Sequence, residues 1–153
     1  MKVFLRFALA LVLSFSGVNA FAHHYSVGKL KITHPWARST STGAKNGAAF
    51  MSITNTGSQP DRLIGASSPV AKVVQIHTMS MENGVMKMRH LTDGLEIAPG
   101  QTVVLKPGSF HVMLMGLKKP LKKGDEVPVF LNFEKTAGIG VMVKVGAEPK
   151  GHN

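Results

Sequence analysis

The stretch His77-Thr78-Met79-Ser80-Met81-Glu82-Asn83-Gly84-Val85-Met86-Lys87-Met88-Arg89-His90 alternates twice about a central Asn-Gly. Successive side chains of an extended strand point to opposite faces, so His77, Met79 and Met81 share one face, and Met86, Met88 and His90 share one face of the returning strand. Asn-Gly between alternating runs predicts a two-residue type I′ turn, whose central residues both need positive φ. Such a turn fixes the register. Glu82 falls opposite Val85, Met81 opposite Met86, Met79 opposite Met88 and His77 opposite His90, with all six His and Met side chains on one face and paired Cβ atoms roughly 5 Å apart. A slip of one residue would destroy the arrangement.

Downstream, His111-x-Met113-x-Met115 repeats the pattern. With 7 His and 9 Met in 153 residues, three alternating triples within so short a stretch are not background. A methionine stripe alone is ordinary core filler, because the flexible thioether packs into irregular gaps. A core, however, needs no imidazole at the end of each run, and Val112 and Leu114 already give the third run an apolar opposite face. Thioethers and imidazoles are soft to borderline donors, and a methionine-rich set without cysteine selects Cu(I). Zinc would prefer thiolate, imidazole or carboxylate. Calcium and magnesium need oxygen, of which this stretch offers only Glu82, Asp93 and Glu96. The absence of cysteine also rules out disulfides and a blue-copper electron carrier, whose site requires a thiolate.

Outward from the hairpin the chain reads as short strands separated by turns, the pattern of a sandwich or barrel. Leu30-Lys31-Ile32, Ala48 to Thr54, Leu63 to Ala66, Val73 to Met81 and Val85 to His90 precede Leu95-Glu96-Ile97 and Gln101 to Lys106. The last two are bracketed by Pro99-Gly100 and Pro107-Gly108, turns that bring the chain back to His111. Val127 to Phe133 and Val141 to Val145 close the series. Any helix is confined to one or two turns between Ser68 and Val73. About nine strands predict a two-sheet Greek-key sandwich.

At the amino end, Lys2 and Arg6 precede the apolar run Phe7 to Phe15, and small residues at Ala20 and Ala22 form a signal-peptidase site. Cleavage is expected after Ala22, with Ala20 as the alternative. The apolar run is far short of the roughly 20 residues that span a bilayer, so residues 1–22 read as a signal peptide, 23–146 as one domain and 147–153 as a frayed tail. No membrane anchor is expected in the mature chain. Losing Lys2 and Arg6 takes the net charge from +10 to +8. Lysines spread along the chain, with one Trp and one Tyr, argue against nucleic acid and leave acidic partners, anionic lipid or a solvated surface.

His77, ten residues, Met88, twenty-two residues and His111-x-Met113 closely resemble the H-x10-M-x21-H-x-M signature of the periplasmic copper chaperones called PCuAC. The second interval is one residue longer than the signature. Pro35-Trp36-Ala37-Arg38, Ala48-Ala49-Phe50-Met51 with Asn55, Asp61-Arg62-Leu63 and Leu117 to Gly124 match as well, so the resemblance covers nearly all of the mature chain. It implies a cupredoxin-like sandwich, a periplasmic location and Cu(I) ligands His77, Met88, His111 and Met113. It also implies delivery of copper for cytochrome c oxidase assembly, with the copper-bearing oxidase subunit or a thioredoxin-like Sco protein as partner. The spacing alone does not choose Met88 over Met79 or Met86. A copper buffer or resistance protein without a dedicated acceptor is the alternative function.

Other chemistry is thin. No nucleophile elbow gathers Ser, His and Asp, and Gly43-Ala44-Lys45-Asn46-Gly47 lacks the spacing of a phosphate loop, so no enzymatic activity is expected. His34 reads as a structural histidine beside Trp36, and Lys87 and Arg89 fall on the face opposite the methionines. If the mature chain begins His23-His24, its α-amine and two imidazoles suit tetragonal Cu(II), a second and weaker site.

Overall fold

The computed structural model describes residues 24–147, so the expected signal peptide over residues 1–22, His23 and residues 148–153 lie outside the described residues. Eleven strands occur among the described residues: β1 (His24–Val27), β2 (Leu30–Ala37), β3 (Asn46–Asn55), β4 (Asp61–Ser67), β5 (Val73–Glu82), β6 (Val85–His90), β7 (Leu95–Ile97), β8 (Thr102–Leu105), β9 (His111–Met115), β10 (Glu126–Phe133) and β11 (Ile139–Val145). Hydrogen bonding runs continuously in the order β6-β5-β9-β3-β2-β11-β10-β4-β7, with β1 added to β2 and β8 to β3. The architecture is the expected all-β, cupredoxin-like sandwich. β1 was not among the expected strands, and Ser68 to Lys72 form a turn, closed by Ala71 N–H donating to Ser68 C=O at 3.4 Å, in place of a helix.

One sheet becomes two layers because its central strands change partners along their length. The first half of β3 pairs with β9 (Ala48 with Met113, Asn46 with Met115), and its second half pairs with β8 (Met51 with Leu105, Thr54 with Thr102). β2 bends where His34 and Pro35 together oppose Met51, a bulge with His34 at φ 52°. Bulges of this kind bend and twist a strand. Beyond the bulge, Trp36 and Ala37 turn to pair in parallel with Lys144 and Val145 of β11.

The wings close on one core. Ile32, Ile53, Leu63, Ile76, Ile97, Val112, Leu114, Val129, Leu131 and Val143 are all fully buried in a single cluster. Each buried branched side chain contributes about 1.5–3 kcal/mol relative to exposure. Ile76, Val112 and Leu114 alternate with His77, His111 and Met113, so packing their apolar faces into the core cluster turns the His/Met face away from it.

Candidate metal centre

The hairpin has the register its turn dictates. Asn83 and Gly84 take φ 51° and 77°, and Glu82 pairs with Val85, Met81 with Met86, Met79 with Met88 and His77 with His90. On its other side β5 pairs with β9, setting His77 opposite His111, Gln75 opposite Met113 and Val73 opposite Met115. Paired residues share a face, so all nine His and Met side chains of the three runs lie on one surface. His90, His77 and His111 form a row across three adjacent strands, with ring centroids 5.6 Å apart for the first pair and 5.7 Å for the second.

The two inner histidines are prepared differently. His111 is buried, and its Nδ1 donates to Ser109 C=O at 3.0 Å, which leaves Nε2 as the unprotonated, electron-donating nitrogen. His77 is buried too. Its Nε2 donates to Gln75 Oε1 at 2.9 Å, so the lone pair sits on Nδ1, and that atom has no hydrogen-bond partner. Buried polar atoms are nearly always paired, and an orphan at a site lined by other donors fits a metal ligand. Burial first, then the neighbouring His111 and His90, push the His77 pKa below its ordinary 6.5. The ring is therefore neutral at pH 7, the form that coordinates metals.

A cavity of about 340 Å³ opens beside the row, with Met79, Met88, His111 and Met113 in its wall together with Arg38, Asn46 and Phe50. Phe50 lies between Trp36, with centroids 4.7 Å apart, and His111, at 6.5 Å, an aromatic backing that fixes the imidazole. Of the four residues singled out in the sequence, Met88, His111 and Met113 reach this cavity, and His77 stands beside His111. Met79 joins them. Met115 does not, because it lies one further step along β9, beyond Met113 as seen from His111. The imidazoles of His77 and His111 are enclosed, at 9% and 3% exposure, whereas Met88 is 46% exposed. Among the described residues no three His, Cys, Asp or Glu side chains converge to hold a metal. A centre here requires thioethers.

Lys87 and Arg89 do face away from the methionines, and both pair with Glu82, Lys87 at 2.9 Å. His34 packs edge-on against His24 with ring centroids 5.8 Å apart, whereas Trp36 packs on Phe50. No helix among the described residues is long and apolar enough to cross a membrane.

The LpqE-like lipoprotein family model matches residues 30–145. The lipoprotein Lxx21020 of Leifsonia xyli subsp. xyli is 34% identical over 143 residues, spanning 90% of this chain and 85% of that protein. The copper-bound PCuAC domain from PmoF2 superposes with a TM-score of 0.69 at 32% identity, covering 82% of this chain and 98% of the domain. The solution structure of CuI-DR1885 from Deinococcus radiodurans gives a TM-score of 0.62 at 30% identity, covering 82% of each chain.

Proposed function

The chain belongs to the LpqE-like family and is built as a PCuAC-type domain, and from that premise we propose that it is a periplasmic chaperone that binds one Cu(I) and hands it on for cytochrome c oxidase assembly. The observation that carries this reading is the orphaned Nδ1 of His77 beside the bared Nε2 of His111, at the edge of a cavity lined by Met88 and Met113. His77, His111, Met88 and Met113 are the ligands. Two neutral imidazoles and two neutral thioethers leave the +1 charge of the ion uncompensated, which keeps the complex exchangeable. Thioethers have no proton to gain, so acid releases the ion only through the imidazoles.

Exposure is graded in the direction that hand-over requires. The imidazoles anchor the ion from within, while exposed Met88 is the ligand an acceptor displaces first. The acceptor is the copper-bearing oxidase subunit or a thioredoxin-like Sco protein. The chain binds and passes the ion without transforming a substrate. The expected signal peptide over residues 1–22 supports a periplasmic location. His23 and His24 at the mature start add a weaker Cu(II) site, which would show as a tetragonal paramagnetic signal lost in a His23→Ala, His24→Ala variant.

Mixing the Cu(I)-loaded protein with the soluble copper domain of the oxidase subunit, then separating the two and measuring copper in each, tests the delivery step. Copper is expected on the oxidase domain. Copper that stays behind, in the presence of either acceptor, would make the protein a buffer.

A further inference from the structure

β5 pairs with β9 only from Val73 to His77. Beyond that point β6 is the only strand paired with Thr78 to Glu82 among the described residues, so the outer part of the hairpin is a two-stranded arm extending about 16 Å at 3.3 Å per residue. Every residue of β6 is exposed. An exposed edge hairpin is a liability that proteins normally cover with charge. One face of this arm follows that rule, with Thr78, Ser80, Glu82, Lys87 and Arg89, of which Glu82 bridges both cations. The other face carries methionine at every position of both strands, and Met81 and Met86 at its tip are 63% and 45% exposed. Side chains so open to water are not core filler.

We propose that these four methionines form a second soft-metal subsite, an outer landing for Cu(I) at the Met81–Met86 rung that feeds the inner centre. The inference rests on the copper reading above and extends it from Met88, already in the proposed ligand set, to Met79, Met81 and Met86, which are not. The register supplies the geometry: Met81 opposite Met86 and, one rung inward, Met79 opposite Met88. The rungs are about 7 Å apart along the strands, within reach of flexible thioethers. Met79 and Met88 line the cavity that holds His111 and Met113, whereas Met81 and Met86 lie outside it. A set of three or four sulfurs without nitrogen or oxygen takes monovalent copper or silver and rejects zinc and Cu(II). Transfer inward is a ligand substitution in which each thioether gives way to the next, with no proton released and no change in oxidation state.

The test uses Ag(I), a redox-inert stand-in for Cu(I), added to the full mature chain labelled at its methionine methyls and followed by NMR and native mass spectrometry. The first equivalent should shift the Met88 and Met113 methyls, and the second those of Met81 and Met86. In a Met81→Leu, Met86→Leu variant with an unchanged amide spectrum, stoichiometry should fall from two to one with the first affinity retained. Uptake from a silver-loaded chelator should slow by about tenfold, because the local capture site is gone. A wild-type chain that takes only one Ag(I), or a second that leaves the Met81 and Met86 methyls unmoved, overturns the subsite and leaves the inner centre standing. A first equivalent that misses Met88 and Met113 overturns the copper reading, and the subsite with it.

Discussion

His77 and His111 stand side by side yet carry their protons on different nitrogens, one held by a side-chain amide and the other by a backbone carbonyl. The alternating pattern makes both histidines legible as donors. Which nitrogen each one offers is not legible, because it depends on Gln75 and Ser109, ordinary polar residues with no signal of their own. Nor did spacing reveal that the imidazoles are buried while Met88 is open, since that depends on β9 pairing alongside β5 as far as His77 and no further. Partners that orient a metal-binding histidine typically matter by about 10–100-fold in affinity. Gln75→Leu should therefore weaken Cu(I) binding by about that factor, measured by competition with a chromophoric chelator, while the fold is retained. An unchanged affinity would mean that the Gln75 contact does not set the ligand.

The hairpin is the element the sequence describes most fully, because Asn83-Gly84 and strict alternation over both arms leave one register. Gly84, at φ 77°, has nothing within 4 Å of where a Cβ would sit, so alanine there meets backbone strain and no clash. That strain is about 1–2 kcal/mol. Because the tip of the arm pairs only within the hairpin among the described residues, Gly84→Ala should speed amide exchange from Ser80 to Lys87 and leave the global melting temperature nearly unchanged. An equal loss across the whole chain would show that the arm is coupled to the core. The first strand, His24–Val27, escaped sequence reading because four residues next to a leader carry too little pattern. It is held by its pairing with β2 and by Tyr25, whose hydroxyl accepts from Met142 N–H at 3.0 Å. For the segment after Ser68 the sequence allows at most one or two turns of helix, and Pro69 with its turn hydrogen bond makes it a turn.

Across the whole molecule, the metal face lies at one end of β3 and a polar lock at the other. Asn55 is buried and donates to Gln59 C=O at 2.7 Å and Ile97 C=O at 3.0 Å. Asp61 accepts from the N–H groups of Arg62, Lys135 and Thr136 and from the Thr136 hydroxyl, tying the start of β4 to the loop after β10. Both residues belong to the stretches that resemble the copper chaperones, and their work is to close the sandwich, which no motif announces. Burial pushes the Asp61 pKa up, but the Thr136 side chain and the three backbone donors outweigh it and hold the carboxyl below 3.8. A depressed carboxylate stabilises the fold above its unfolded pKa, and that stability is lost as pH falls through the folded value. Asp61→Asn should cost about 1.5–3 kcal/mol at pH 7, read from urea unfolding, and the gap to the parent should close in acid. A gap that persists below the folded pKa would place the effect in packing and not in charge.

The central claim is that one Cu(I) is held between the two inner imidazoles and the thioethers on the shared face of β5, β6 and β9. X-ray absorption on the reduced protein loaded with one equivalent tests it most directly. The expected spectrum shows sulfur and nitrogen together in the first coordination shell, with the sulfur contribution reduced in Met88→Leu and Met113→Leu variants. A first shell of nitrogen and oxygen alone would contradict it.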